Sequence, residues 1–195
     1  MRIIGVTGGV GAGKSTVLEY LQRVYHAEVI LADTVGHEVM EPGEAAYKQI
    51  LEEFGAEVLS KDGRIDRKIL GSVVFADQKK LQRLNAIVHP QVKKEILRRI
   101  AQAEADGRQY AVVEAALFLE ENYDAFCDET WYIYTNEEKR RARLKGSRGY
   151  SDERVSQIFS SQRTHEEFLN RCQFIIDNNG TAEDACRQAD RRMSQ

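Results

Sequence analysis

The chain has 195 residues, of which 42% are hydrophobic and 30% are charged, and its formal net charge is −3. This composition is typical of a soluble globular protein, and two prolines are too few for a collagen-like or proline-rich architecture. No apolar run approaches the ~20 residues that a membrane-spanning helix needs, and the N-terminus does not resemble a signal peptide. The slightly acidic balance gives no indication of nucleic-acid binding.

The first strands and helices alternate along the chain. Five short apolar segments, rich in β-branched or aromatic residues, predict strands that are buried on both faces. They are Arg2–Thr7, Ala27–Ala32, Tyr110–Ala116, Thr130–Thr135 and Phe174–Asp177. Helical patterns lie between them, which favours an α/β fold with a parallel five-stranded sheet in the middle of three layers.

Several helices can be placed from periodicity and end signals. Helices are predicted over Ser15–Tyr25, Ala45–Phe54 and Pro90–Asp106, the last with its proline at the first helical position. Ser151 and Thr164 are predicted to cap two further helices.

The interval between the second and third strands is much longer than one crossover requires. It contains several helical patterns, so we predict a helical insertion at about 41–107 that forms a second lobe. The whole chain, 1–195, is then a single domain whose core is about 1–40, 108–136 and 172–195.

Residues 8–15, GGVGAGKS, match the phosphate-loop pattern G-x-x-x-x-G-K-[ST] between a predicted strand and a predicted helix. The pattern predicts backbone N–H groups that converge on phosphate oxygens, helped by the positive end of the helix. Lys14 is expected to reach the β- and γ-phosphates of ATP, and the Ser15 hydroxyl is expected to bind Mg²⁺. The predicted nucleotide-binding residues are Gly9, Gly11, Ala12, Gly13, Lys14, Ser15, Thr16 and Asn178.

A phosphate loop does not by itself distinguish kinases from GTPases or motor ATPases. The chain has no Asn-Lys-x-Asp guanine signature and no apolar strand that closes with Asp-Glu, as in many ATPases. The small size and the helical insertion therefore favour a kinase that acts on a small acceptor.

Further segments carry a pattern that is more specific than the loop. In chain order they are residues 6–16 (VTGGVGAGKST), 29–33 (VILAD), 41–43 (EPG), 84–90 (LNAIVHP), 116–120 (ALFLE), Gln162 and 176–180 (IDNNG). Together they resemble the dephospho-coenzyme A kinase family over nearly the whole chain. The resemblance implies ATP-dependent phosphorylation of the ribose 3′-hydroxyl of dephospho-coenzyme A, the last step of coenzyme A synthesis. It also implies that the insertion binds the substrate and that about 137–165 form a mobile lid.

Four positions depart from the family pattern. Leu31 replaces the first Asp of a D-A-D segment, His37 replaces an Arg, and Ala116 replaces a Pro. In the lid, the Arg of an R-D-G-x-S segment is displaced by one position, to Arg148. These changes leave the phosphate loop intact and affect the positioning of the acceptor and the closure of the lid.

Two carboxylates at strand ends are candidates for the chemistry. Asp33 follows the second strand, at the edge of a doubly wound sheet where ligands bind, and is the candidate base for the attacking hydroxyl. Its alternative role is to cap the helix predicted at 34–40. Glu114, near the end of the third strand, is a candidate Mg²⁺ ligand, with a structural ion pair to an arginine as the alternative. Leu31 cannot serve as a second carboxylate beside Asp33.

The remaining candidates are basic residues and an amide. Six Lys or Arg residues and no acid lie between Lys139 and Arg148. We expect Arg143 or Arg148 to reach the triphosphate, because lid arginines stabilise the charge of phosphoryl transfer, and we expect the other basic side chains to lie on the surface. A solvated helix face is the alternative for the run. Asn178 either contacts the nucleotide base or only ends the last strand in a turn.

The leading hypothesis is a dephospho-coenzyme A kinase that uses ATP and Mg²⁺. Another small-molecule kinase, acting on a nucleoside or nucleotide, is the nearest alternative, and a regulator that binds nucleotide without transfer is a third. Three widely spaced cysteines without a Cys-x-x-Cys pair suggest reduced thiols and a cytoplasmic location. No partner among nucleic acids or membranes is expected.

Overall fold

The computed structural model describes residues 1–195 and contains five strands, each within two residues of its predicted bounds. They are β1 (Arg2–Thr7), β2 (Glu28–Leu31), β3 (Tyr110–Glu114), β4 (Glu129–Tyr134) and β5 (Phe174–Asp177). The strands form one parallel sheet in the order β2-β3-β1-β4-β5, which confirms the predicted α/β class. Arg2 is in register with Tyr110 of β3, and Ile4 is in register with Glu129 of β4, so β1 lies at the centre.

The chain also contains nine α-helices. They are α1 (Lys14–Tyr25), α2 (Ala32–Glu38), α3 (Ala45–Phe54), α4 (Arg67–Phe75), α5 (Gln78–Ala105), α6 (Glu137–Arg148), α7 (Asp152–Ser160), α8 (His165–Arg171) and α9 (Ala182–Met193). Short 3₁₀ turns occur at Ala56–Val58 and Tyr123–Phe126. The predicted caps are confirmed: the side chains of Ser151 and Thr164 accept hydrogen bonds from the first turns of α7 and α8.

The predicted helix start at Pro90 is wrong, because Pro90 lies inside the 28-residue helix α5. Proline removes one backbone hydrogen bond and crowds the carbonyl four residues earlier, that of Ala86. Both Pro90 and Ala86 are exposed, so water can satisfy the released carbonyl. The apolar spacing that continues through Val92 and Ile96, both buried, keeps the helix intact past the proline.

The chain divides into two compact units. The first comprises residues 1–30 and 103–195 and contains a core of fully buried side chains between the sheet and helices α1 and α9. This core includes Ile4, Val6, Val17, Leu21, Trp131, Ile133 and Ile176. The second unit, residues 31–102, is helical and buries Ile50, Val58, Leu70, Val74 and Ile96.

All three cysteines carry free thiols. Burial raises the pKa of the Cys127 and Cys172 thiols to about 12, which keeps both thiols protonated at neutral pH. None of the helices has the combination of length and apolar character that crossing a membrane requires.

Candidate active site

The phosphate loop (residues 8–15) connects the central strand β1 to helix α1. Gly11 and Gly13 have φ of +82° and +86°, a backbone region that favours glycine. Gly13 occupies the N-cap position of α1, and no side chain caps this helix end. The first N–H groups of α1 are therefore available to an anion, and the helix dipole adds to its attraction.

Two glycines of the loop allow neighbouring side chains to lie directly against the backbone. A Cβ atom at Gly9 would lie 2.3 Å from Nη2 of Arg140, and one at Gly13 would lie 2.3 Å from Nδ2 of Asn178. No other residue type fits at these two positions without displacing the neighbour.

The structure brings Lys14 and Glu114 together at the start of the loop. The Lys14 ammonium donates to the Gly8 carbonyl oxygen at 2.8 Å and lies 3.4 Å from Oε1 of Glu114. Both side chains are largely buried, so the pair is shielded from solvent. Ser15 and Thr16 follow Lys14 in the first turn of α1, and the side chain of Ser15 is exposed.

Asn178 and Thr135, which directly follow β5 and β4, fix the middle of the loop. The Asn178 amide donates to the Ala12 carbonyl oxygen at 2.7 Å, and the Thr135 hydroxyl donates to the same oxygen at 2.9 Å. Both side chains are buried. A buried hydrogen bond that is lost leaves an unsatisfied polar group, so these contacts hold the loop firmly. Thr135 was not among the predicted site residues.

Arg143 reaches the loop from α6. Its guanidinium donates to the carbonyl oxygens of Ala12 at 3.2 Å and Asn178 at 3.1 Å. Arg148, at the C-terminal end of the same helix, is exposed and lies over the ring of Tyr150 at 6.0 Å. Of the two predicted lid arginines, the structure thus brings one to the loop.

The expectation that the remaining basic residues of the run lie on the surface is wrong for Arg140. This side chain is partly buried, and its Nε donates to the Val10 carbonyl oxygen at 2.9 Å. The sequence carries a signal that could have revealed it: positions 140, 143 and 144 share one face of a helix. Leu144 on that face is fully buried, so the face lies against the protein.

Asp33 lies in the second unit, residues 31–102, and is exposed in the first turn of α2. The alternative role, that Asp33 caps this helix, is wrong, because Leu31 is the N-cap residue and no side chain caps the helix. The Asp33 carboxylate forms no hydrogen bond or ion pair. His37 stands where the family pattern has an arginine. Its ring nitrogen Nε2 lies 2.7 Å from Nη1 of Arg67.

A central parallel strand that leads through a complete phosphate loop into a helix defines the chain as a nucleotide-binding protein of the P-loop class. The model of the dephospho-CoA kinase family matches residues 2–184, and the chain belongs to this family.

The comparisons with individual proteins agree with this assignment. The dephospho-CoA kinase of Geobacter sulfurreducens is 41% identical, over 94% of this chain and 93% of its own length. That of Carboxydothermus hydrogenoformans is 37% identical, over 93% of this chain and 87% of its own length. The structure of a dephospho-CoA kinase from Campylobacter jejuni is similar with a TM-score of 0.74 at 26% identity, covering 100% of this chain and 96% of that one.

Proposed function

We propose that this protein transfers the γ-phosphoryl group of ATP to the ribose 3′-hydroxyl of dephospho-coenzyme A, which completes coenzyme A. The observation that carries the proposal is the phosphate loop. Its complete sequence motif leads into the uncapped N-terminus of α1, and Lys14 is the first residue of that helix and donates back to Gly8. Membership of the dephospho-CoA kinase family supports the choice of acceptor.

The loop has the groups that a triphosphate and Mg²⁺ need. Its N–H groups and Lys14 would bind the β- and γ-phosphate oxygens. The Ser15 hydroxyl would bind Mg²⁺, with the Glu114 carboxylate as a second oxygen ligand or a partner of a bound water. No cluster of three His, Cys, Asp or Glu side chains offers a metal site made of protein groups alone. This fits Mg²⁺, which in kinases keeps water and phosphate oxygens among its ligands and neutralises charge on the phosphates.

Asp33 is the proposed base for the acceptor. As the hydroxyl oxygen attacks the γ-phosphorus, the bond from that phosphorus to the β,γ-bridging oxygen breaks, and the hydroxyl proton moves to the carboxylate. The exposed, unpaired carboxylate of Asp33 is free to accept it. Asp33 lies two residues beyond β2, which keeps it near the carboxyl end of a strand, where ligands bind in doubly wound sheets.

The arginines of α6 are proposed to act on the nucleotide side. Arg143 holds α6 against the loop through the Ala12 carbonyl and contributes positive charge beside the phosphates. Arg148 would reach the triphosphate only when the lid, residues 137–165, closes. Closure would also exclude water, which would otherwise accept the phosphoryl group.

A coupled assay of ADP release across a panel of acceptors tests the function. We expect ADP release with dephospho-coenzyme A and none above background with nucleosides or nucleoside monophosphates. Lys14→Ala, purified in parallel, controls for contaminating kinases. Turnover of a nucleoside in place of dephospho-coenzyme A would overturn the assignment of the acceptor, and binding of ATP without any transfer would make the protein a nucleotide-binding regulator.

A further inference from the structure

Arg67 differs from the other arginines of the second unit because it has no carboxylate partner. Residues 31–102 contain five arginines, and four of them form an ion pair. These pairs are Arg64 with Glu41, Arg83 with Glu53, Arg98 with Glu95 and Arg99 with Glu38. The Arg67 side chain is exposed at the start of α4 and forms no ion pair. It is therefore the arginine of this unit that remains free to bind an anion brought by a ligand.

The side chain that holds Arg67 in place is uncharged. Nη1 of Arg67 lies 2.7 Å from Nε2 of His37, which is in the last turn of α2. A guanidinium can only donate, so this hydrogen bond requires a neutral imidazole that accepts at Nε2 and carries its proton on Nδ1. The adjacent Asp66 carboxylate caps α4 by accepting from its backbone amides. His37 thus orients the guanidinium without neutralising it, and other N–H groups of Arg67 remain for a further acceptor.

His37 connects Arg67 to Asp33, the proposed base. His37 and Asp33 are four residues apart in α2, so their side chains lie on one face of the helix, about one turn or 5.4 Å apart. The Asp33 carboxylate has no hydrogen bond or ion pair, and it does not pair with Arg67. The structure therefore presents an unpaired carboxylate and an unneutralised guanidinium side by side on one surface of the second unit.

The proposed acceptor carries matching groups on a single ribose. Its 3′-hydroxyl is the group that attacks, and the 5′ carbon of the same sugar carries a diphosphate. A planar guanidinium offers two parallel donors to phosphate oxygens, which an ammonium does not. When the hydroxyl lies at Asp33, the diphosphate lies only the width of a sugar ring away, a distance similar to the helical turn between Asp33 and His37.

We propose that Arg67 binds the 5′-diphosphate of the acceptor and so places the ribose 3′-hydroxyl at Asp33, and that His37 holds the guanidinium for this contact. The inference rests on the proposed function, because it takes the acceptor to be dephospho-coenzyme A. Arg67 binds a part of the acceptor that does not react. His37 is a positioning residue that acts through Arg67.

Calorimetry of dephospho-coenzyme A binding tests the role of Arg67. The enzyme is first saturated with Mg²⁺ and a non-hydrolysable ATP analogue, which keeps the acceptor out of the nucleotide site. Arg67→Gln should weaken acceptor binding by about 10- to 100-fold, the worth of a charged hydrogen bond, and leave affinity for the analogue unchanged. In steady-state kinetics, KM for the acceptor should rise by a similar factor while kcat stays within about twofold of wild type.

Lys68→Gln is the matched control, because it removes the same charge from the next residue of α4, whose side chain is also exposed. It should change neither affinity, and the melting temperature of both variants should equal that of the wild type. Equal losses of acceptor affinity in the two variants would mean that only overall charge matters and would overturn the proposal. A loss confined to kcat, or no loss in Arg67→Gln, would also overturn it.

Two variants of His37 test its positioning role. His37→Leu removes the acceptor of the hydrogen bond and should weaken binding of dephospho-coenzyme A, whereas His37→Gln keeps a side-chain oxygen and should recover most of the affinity. In the Arg67→Gln background, His37→Leu should have no further effect, because His37 acts through Arg67. Additive losses in the double variant would overturn the positioning role.

The failure of this inference can be told from the failure of the proposed function. If the wild type phosphorylates dephospho-coenzyme A while Arg67→Gln binds it as tightly as the wild type does, this inference alone fails. If the wild type does not phosphorylate dephospho-coenzyme A, the proposed function fails and this inference fails with it.

Discussion

The phosphate loop and helices α6 and α7 are held in place by different sets of contacts. The loop is fixed in its middle by buried hydrogen bonds from Thr135 and Asn178 to the Ala12 carbonyl, which also accepts from Arg143. Contacts between helices α6 and α7 include exposed ion pairs, such as Lys145 with Asp152 at 2.7 Å. Exposed pairs contribute little and are weakened by salt, whereas buried hydrogen bonds are costly to break.

This difference suggests that the loop and helices α6 and α7 respond differently to a bound nucleotide. Thr135 and Asn178, the buried partners of the loop, directly follow strands of the sheet, so we expect the loop to keep its shape when a nucleotide binds. The position of α6 depends on Leu144 and on arginines that contact the loop, and these arginines carry charge that a triphosphate would neutralise. A bound nucleotide should therefore change α6 and α7 more than the loop itself.

The largest expected effect comes from the loop. Lys14→Ala removes the ammonium that contacts Gly8 and Glu114, and we expect the rate of transfer to fall by at least about 10²–10³-fold. The fold should survive, because the core does not depend on this side chain, and circular dichroism checks this. Lys145→Ala is the control for loss of a lysine. Turnover near the wild-type rate in Lys14→Ala would contradict the role given to the loop.

Two glycines allow the loop and the lid to be compared directly. Gly13 and Gly149 both have positive φ, +86° and +63°, but a Cβ would meet Asn178 at the first and nothing within 4 Å at the second. Gly149→Ala should cost only the conformational strain of about 1–2 kcal/mol. Gly13→Ala should cost more and should also weaken nucleotide binding, because it displaces the Asn178 amide. Chemical denaturation and calorimetry measure both. Equal effects in the two variants would contradict the difference between the regions.

Hydrogen exchange tests the response to nucleotide. Amides in residues 137–162 should exchange more slowly when a non-hydrolysable ATP analogue binds, and most slowly when the acceptor is also present. Amides of β1, whose hydrogen bonds lie in the centre of the sheet, should change little. Unchanged exchange across 137–162 would remove the lid from the mechanism.

The smallest effects are expected at the exposed end of α6. Lys145→Ala should leave the transfer rate within about twofold of wild type, since it removes one surface ion pair. Arg148→Ala should lower kcat by more than this if Arg148 moves to the triphosphate on closure. Steady-state kinetics of both variants tests whether Arg148 takes part in transfer. Equal, minor losses of kcat would mean that Arg148 only contacts Tyr150.

The sequence predicted the sheet and the loop because both depend on local signals. Apolar runs define strands such as Arg2–Thr7. The spacing of the glycines and Lys14 in the loop is specific to phosphate-binding loops. Pro90 misled because its signal is local too, while α5 runs through it without a break and continues to the buried residues Val92 and Ile96. A sequence does not show that a proline falls on the solvent side of a longer helix.

The contacts of the site were harder to predict than its motif. The position of Arg140 depends on the packing of Leu144, on Phe159 in the next helix and on Gln162 just after that helix. The number of basic residues between Lys139 and Arg148 does not show which of them lie on the buried face of the helix and which lie on the exposed face. The contact of Thr135 with Ala12 likewise depends on the pairing of β1 with β4.

The most direct measurement is phosphorus NMR of the product formed from ATP and dephospho-coenzyme A by the wild type and by Asp33→Asn. We expect a new phosphate ester at the ribose 3′ position with the wild type. Asp33→Asn should form the same product with kcat lower by about 10²–10⁴, while calorimetry finds its affinity for ATP unchanged. A product phosphorylated elsewhere, or an Asp33→Asn variant that loses ATP affinity and retains most of the wild-type rate, would contradict the account.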